Sequence, residues 1–118
     1  MSTAKVRPKG TKRFPANYAD RVARGAALLD RERPGWAAEI AIDELAMASC
    51  NDCILGQIYG RYTVGLSSVF RDTEASWLSP AHYGFTLYDG EQVQDFKETM
   101  LRFRELADAW RTEIRART

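Results

Sequence analysis

At 118 residues, the chain has the commonest size of a single domain, which leaves little room for two independent cores. Apolar residues make up 45% and charged residues 28%, a balance typical of globular rather than disordered proteins. No apolar run reaches the roughly 18 residues of a membrane-spanning helix, and no apolar run follows the basic N-terminus as in a secretory signal. We therefore expect one cytoplasmic domain with no membrane contact.

Positive charge is concentrated at the N-terminus. Five basic residues precede the first acidic residue, Asp20, and they are Lys5, Arg7, Lys9, Lys12 and Arg13. The remaining sequence has 12 basic and 16 acidic residues. Residues 1–16 show no apolar period, so we predict a flexible basic arm there and a single helical domain over residues 17–118. Only the arm has the charge to contact nucleic-acid phosphates, and a solubilising tail is the alternative.

The first predicted helix runs from about Asn17 to Arg33, with Asn17 as its N-cap. Pro34-Gly35 ends it, because proline disfavours helix in the preceding residue and glycine relaxes the turn. The following Trp36 is expected to fold back onto the core. The apolar stripe of this helix consists of Tyr18, Val22, Ala26 and Leu29, with Arg21, Arg24 and Asp30 off the stripe.

Shorter elements are predicted over residues 37–70. The segment 37–47 mixes periods of two and three, so a short helix and an extended segment both stay open. Ser49 is a good N-cap for a helix from Cys50 to Tyr59, and Gly56 inside that helix implies a close neighbour or a bend. Another helix is predicted over Tyr62 to Phe70, and the side chains available to bury are Val64, Leu66, Val69 and Phe70.

Residues 71–90 are predicted to be irregular, although the alternation from Tyr83 to Tyr88 would suit one short strand. A long amphipathic helix follows from about Glu91, with Asp89 able to cap it. Its apolar residues advance by threes and fours: Val93, Phe96, Met100, Phe103, Ala107, Trp110 and Ile114. Its acidic start and basic end suit the helix dipole, and Glu98 with Arg102 and Glu113 with Arg117 form correctly oriented pairs.

These elements together predict an all-α, compact single domain of about four helices, with an irregular 71–90 segment and a long C-terminal amphipathic helix. That last helix has more large apolar residues than a chain of this size is expected to cover. Leu101 and Leu106 flank its main stripe, and Trp110 lies on it. We therefore predict that these three residues form a partner interface, either with another protein or in a homodimer.

Cys50-x-x-Cys53 is the sharpest local motif. A helix starting at Cys50 would lower the pKa of that thiol and favour a reactive thiolate, although no preceding strand offers the frame of a thioredoxin-like enzyme. Zinc requires four ligands, of which the motif supplies two and His82 could be a third. In the simplest interpretation both thiols pack in the core of a short helix. Core packing, redox chemistry and metal binding are the three alternatives.

Catalytic constellations are absent from the sequence. There is no phosphate-binding loop, no G-x-S-x-G and no H-E-x-x-H motif, and the only histidine, His82, has no identifiable catalytic partner. We therefore predict that the protein is not an enzyme. No cofactor is expected, with zinc as the one that the cysteines would allow.

One family resemblance rests on the strings Arg24-Gly25-x-x-Leu28-Leu29-Asp30, Pro34-Gly35-Trp36 and Cys50-x-x-Cys53-Ile54-Leu55-Gly56-Gln57-Ile58-Tyr59-Gly60. Over roughly residues 22–66, the chain resembles small uncharacterised proteins of actinobacterial phages and related bacterial genomes. The resemblance implies a phage accessory gene or a host relic of one, and it assigns no catalytic residue.

Three functional hypotheses follow. The first is a non-enzymatic accessory protein that binds another protein of the host or the phage. The second is nucleic-acid binding through the basic arm. The third is thiol-redox or metal chemistry at Cys50 and Cys53.

Overall fold

The computed structural model describes residues 17–70 and 79–118. Over these residues the chain forms four α-helices and no strand: α1 spans Tyr18–Glu32, α2 Ile54–Tyr59, α3 Tyr62–Val69 and α4 Phe96–Arg117. Short 3₁₀ turns occupy Trp36–Glu39, Ile42–Glu44, Pro80–Tyr83 and Asp89–Glu91. The all-α single domain is thus confirmed. No helix among the described residues is long and apolar enough to cross a membrane.

The apolar stripe of α1 packs into the core as predicted, since Tyr18, Val22, Ala26 and Leu29 are all buried. After the helix, Gly35 takes a left-handed conformation with φ of 87°, which glycine adopts without strain. This turn places Trp36 in the core, where its ring meets Trp110 edge-on with 5.7 Å between centroids. Asn17 is the N-cap residue of α1 as predicted, although its side chain makes no capping hydrogen bond.

The segment before α2 is neither one helix nor an extended strand, because two 3₁₀ turns interrupt it. The predicted helix start at Cys50 is also wrong. The Ser49 hydroxyl accepts hydrogen bonds from the N–H groups of Asn51 and Asp52 (3.2 and 3.1 Å), which closes a separate turn. Helix α2 begins at Ile54, and the Sγ of Cys53 caps it by accepting from the Gly56 N–H at 3.3 Å.

Gly56 has the close neighbour that its helical position predicted. A Cβ there would lie 2.6 Å from the backbone carbon of Asn51 and would also meet the Cys50 carbonyl oxygen. The turn that contains the first cysteine therefore packs directly on α2. Helix α3 follows the predicted range to within one residue, but its Val64 is 48% exposed rather than buried.

Residues 79–90 form no strand, as the predicted irregular segment requires, and the alternative of a short strand from Tyr83 to Tyr88 is wrong. Residues 71–78 of that predicted segment lie outside the described residues. The backbone turns at Gly84, whose φ is 73°, and no neighbouring extended segment among residues 17–70 and 79–118 offers a partner. The alternation instead places Phe85 and Leu87 in the core. The Phe85 ring stacks on Trp110 with 5.7 Å between centroids.

Helix α4 begins at Phe96, later than predicted, with the Asp95 carboxylate accepting from the Lys97 N–H at 3.0 Å. Asp89 belongs instead to a separate 3₁₀ turn. The C-terminal half of α4 packs into the core, as the apolar periodicity predicted. Its buried residues are Leu106, Ala107, Trp110 and Ile114. Both predicted ion pairs form, Arg102 with Glu98 at 2.9 Å and Arg117 with Glu113 at 2.6 Å.

A buried ion pair, which the residue pattern did not predict, joins α1 to the turn before α4. The guanidinium of Arg21 donates to both carboxylate oxygens of Glu91 at 2.9 and 2.6 Å, and the two side chains are only 1% and 3% exposed. The rings of Tyr18 and Tyr88 lie 4.7 and 4.9 Å from the guanidinium carbon. The two hydrogen bonds and the two flanking rings hold this pair in place, so the pair fixes the turn before α4 relative to α1.

Candidate functional site

The apolar stripe of α4 continues beyond the part of the helix that the core covers. Phe96, Met100 and Phe103 stand before the buried residues at the same alternation of four and three, so they lie on the same side of the helix. Phe96 is 73% exposed, and Met100 and Phe103 are half-buried. We call these three residues the seam. An apolar seam that the protein does not cover is the strongest binding feature of the described residues.

A pocket of about 240 Å³ opens along the seam, between α4 and residues 45–48. A second pocket, of about 180 Å³, also borders Phe103 and reaches the two cysteines. The two pockets share Met47, Ala48 and Phe103. Each is smaller than the 300–1,000 Å³ common for small-molecule sites. Their size and apolar lining suit single side chains of a protein partner.

Basic residues run beside the seam at a spacing of seven: Lys97, Arg104 and Arg111. Arg104 and Arg111 line the larger pocket. Arg111 is held by the Asp108 carboxylate at 2.7 Å and by the Leu45 carbonyl at 3.3 Å. Lys97 and Arg104 are exposed and form no ion pair with another described residue. One edge of the seam is therefore positively charged, and two of its charges are available to a partner.

Hydrogen bonds connect the first turns of α4 to the residues just before this helix. The Thr99 hydroxyl accepts from the Val93 N–H at 3.1 Å and donates to the Val93 carbonyl at 3.0 Å. Arg102 donates to the Glu91 carbonyl at 2.7 Å. Because Glu91 is itself held by Arg21, the start of α4 is connected to α1 through these bonds. The seam is thus presented on a positioned helix rather than on a loop.

The structure places the three predicted interface residues differently from one another. Leu101 is 49% exposed, but it follows Phe96 by five residues and so points about 140° away around the helix. Leu106 and Trp110 are 0% exposed, and Trp110 also donates from Nε1 to the Gly84 carbonyl at 2.6 Å. Both are core residues, so the prediction that they form a partner surface is wrong. The exposed seam, and not these two residues, is the candidate partner surface.

This correction has a measurable consequence. Leu106→Ala should lower the free energy of unfolding by about 2–5 kcal/mol, because it leaves a cavity in the core. Leu101→Ala removes the same atoms from an exposed site and should change it by less than about 0.5 kcal/mol. Chemical denaturation of the two variants makes the comparison. Equal destabilisation would place both leucines in the same environment and contradict the structure.

The two cysteines occupy different environments, and both are free thiols. Cys53 is 2% exposed and caps α2, whereas Cys50 is exposed in the preceding turn. Burial raises the pKa of the Cys53 thiol and outweighs the hydrogen bond from the Gly56 N–H, which lowers it. Core packing is thus right for Cys53 and wrong for Cys50. Because α2 starts after Cys53, Cys50 does not lie at a helix N-terminus, and the position predicted for it is wrong.

Thiol labelling of the native protein should therefore show two rates. One thiol, Cys50, should react with Ellman's reagent as a free surface thiol, whereas Cys53 should react far more slowly because it is buried and its pKa is raised. Cys50→Ser should remove the fast phase alone. Two fast phases in the folded protein would contradict this assignment.

The third residue of the predicted metal or redox set, His82, packs within the fold. Its ring lies edge-on to Tyr83 with 5.1 Å between centroids, and its backbone carbonyl accepts from the Arg24 Nε at 2.8 Å. Partial burial and the nearby Arg24 charge lower the pKa of His82. Over the described part of the chain, no group of three or more His, Cys, Asp or Glu side chains could hold a metal. Cys50, Cys53 and His82 are thus not gathered into a zinc site.

The predicted nucleic-acid contacts, Lys5, Arg7, Lys9, Lys12 and Arg13, lie outside the described residues. That hypothesis stays a prediction. No protein-family model matches this chain, and searches of curated proteins and of solved structures likewise found no match.

Proposed function

We propose that the chain is a non-enzymatic accessory protein of phage type, which works in the cytoplasm by binding another protein of the host or the phage. The observation that carries this proposal is the uncovered seam on α4. Phe96 leaves 73% of its surface in solvent, at a position where the helical period would otherwise bury it. Aromatic side chains of this kind are the usual anchors of protein interfaces.

The pockets beside the other two seam residues, Met100 and Phe103, also support a protein partner rather than a small substrate. The two pockets have small volumes and are lined mainly by apolar side chains, including Met47 and Met100. Methionine side chains adapt their shape to different partners, and such residues are frequent on binding surfaces. The seam would supply the buried centre of an interface, and the basic residues beside it the polar rim.

Site-specific photo-crosslinking tests this proposal. A benzoylphenylalanine at position 96 keeps the aromatic shape of Phe96 and should give discrete crosslinked products with a protein in the source-cell lysate. Excess unlabelled wild-type protein should compete these products away. Excess Phe96→Asp variant should not compete, because a buried unpaired carboxylate opposes docking.

Two exposed apolar positions serve as matched controls. Leu101 lies on another side of α4 and Val64 lies on α3, and both are about half exposed. The same crosslinker at either position should give none of the products. If position 96 gives no product, or if all three positions give the same products, the seam is not the binding surface. Products from position 101 alone would favour the Leu101 side of the helix.

A further inference from the structure

We infer that the partner segment is an amphipathic helix whose apolar stripe is flanked by acidic residues. This inference rests on the proposed function and adds the chemistry of the partner. It follows from the register of α4. Assigned to a heptad, Phe96 and Phe103 fall at d and Met100 at a, which are the positions that face a second helix in a coiled coil.

The charges beside the seam are uniform in sign. In the same register Lys97, Arg104 and Arg111 all occupy e, the position that flanks the apolar contact and forms ion pairs with the neighbouring helix. No acidic residue lines the larger pocket. A helix that docks on the seam therefore meets the unpaired positive charges of Lys97 and Arg104, and acidic side chains on its facing edge complement them.

An antiparallel second copy of the chain fits this surface poorly, and a parallel copy offers the cations no counter-charge, because its facing g positions are Thr99 and Leu106. Antiparallel pairing of two α4 helices about a two-fold axis would bring the e positions of both copies together, so Lys97 and Arg104 would face cations. Like charges placed opposite each other weaken an interface. The N-terminal arm would also place positive charges against this surface, since it has five basic residues and no acidic one. The charge pattern thus favours an acidic helix of another protein.

The pocket beside the seam provides depth for such a helix. Residues 45–48 form one wall of it, and Met100, Phe103 and Ala107 form the other. A helix lying along α4 can insert an apolar side chain between these walls while its flank runs past Arg104. Met47 and Met100 are unbranched and can adjust to the side chain that enters.

Two synthetic helical peptides of 21 residues make the test. Both have leucine at a and d, and they differ only at e and g, which are glutamate in one and lysine in the other. Fluorescence anisotropy with the full chain at low salt should give an affinity for the acidic peptide that is roughly tenfold higher or more, since several ion pairs of modest strength act together. Higher salt should narrow the difference.

Charge-reversal variants assign the effect to residues. Lys97→Glu combined with Arg104→Glu should lower the affinity for the acidic peptide about tenfold and invert the preference between the peptides. Arg31→Glu is the matched control, because Arg31 is an exposed arginine on α1 that lines neither pocket, and it should change neither affinity. Phe96→Asp should abolish binding of both peptides, with circular dichroism confirming that each variant is folded.

Several outcomes would overturn the inference. If both peptides bind equally and Phe96→Asp abolishes binding, the seam docks helices without charge selection, and the proposed function stands alone. If neither peptide binds while position 96 still crosslinks to a protein, the partner is not an acidic helix.

A dimer in light scattering that Phe96→Asp dissociates would identify a second copy as the occupant. A poly-dT oligonucleotide that binds wild type and Phe96→Asp equally, but not Lys97→Glu/Arg104→Glu, would identify nucleic acid.

Discussion

Replacing Glu91 by glutamine should lower the free energy of unfolding by about 3–5 kcal/mol, the usual cost of leaving one member of a buried ion pair without its counter-charge. The amide keeps the size of the carboxylate but not its charge. Arg21, with 1% of its side chain exposed, would then keep a buried positive charge with no counter-ion among the residues described here. Urea denaturation at neutral pH, monitored by circular dichroism, measures the loss.

A double substitution separates the ion pair from packing. Arg21→Met with Glu91→Leu removes both charges together and should cost far less than Glu91→Gln alone, because apolar side chains of similar size avoid the desolvation that the pair requires. Strong non-additivity is therefore expected in the double-mutant cycle formed by Arg21→Met, Glu91→Leu and their combination. If the two single losses add up to the double loss, the side chains do not interact in the folded protein.

The same pair should make stability depend on acid. Burial opposes ionisation of Glu91, but the hydrogen bonds from Arg21 and from the Tyr88 N–H outweigh it, so the pKa of Glu91 lies below its ordinary value of 4.5. A carboxyl whose pKa is lower in the folded state stabilises that state above the unfolded pKa, and it loses this contribution as the pH falls through the folded pKa. Wild type should therefore lose more stability below pH 4.5 than the Glu91→Gln variant does.

Gly25→Ala should destabilise the protein by about 3 kcal/mol, although alanine is the better helix former by about 1 kcal/mol. Gly25 lies in α1, where Trp110 of α4 and the turn containing Tyr83 both approach the backbone. A Cβ at this position would lie 3.0 Å from the Trp110 ring and would collide with the Tyr83 carbonyl oxygen. Since that oxygen belongs to the backbone, relief requires α1 to move away. Thermal or urea denaturation tests this expectation.

Ala27→Gly provides the reference for backbone propensity in the same helix. Ala27 is exposed, so its replacement should cost about 1 kcal/mol and should leave the packing unchanged. A stabilised Gly25→Ala variant would mean that the contact between α1 and α4 is looser than the structure shows.

The α-helical class and the long final helix could be predicted because they depend on local periodicity. The same periodicity could not reveal the role of Arg21, which lies off the apolar stripe and is buried only because Glu91, 70 residues later, reaches it. Charged residues at such positions are normally solvated, so a residue pattern offers no signal for a buried pair.

The candidate site was predicted in part for a similar reason. The apolar excess of α4 was visible in the sequence, but its location depended on how far the core extends along the helix. The core covers Leu106 and Trp110 and stops before Phe96, and this limit is set by tertiary packing. The predicted helix start at Cys50 was wrong because Ser49 caps a tight turn instead. The N-cap of α2 is Cys53, and its Sγ is an uncommon capping group.

The core packs against only one part of α4, so the two parts of this helix should differ in their resistance to local unfolding. Amide protons of residues 106–114 are protected by the core, so their exchange should approach the rate set by global unfolding. Amide protons of the first two turns are protected by helical hydrogen bonds with little buried surface behind them, so they should exchange much faster. A docked helix would slow exchange in those turns, and amide exchange would thereby map the partner surface along the chain.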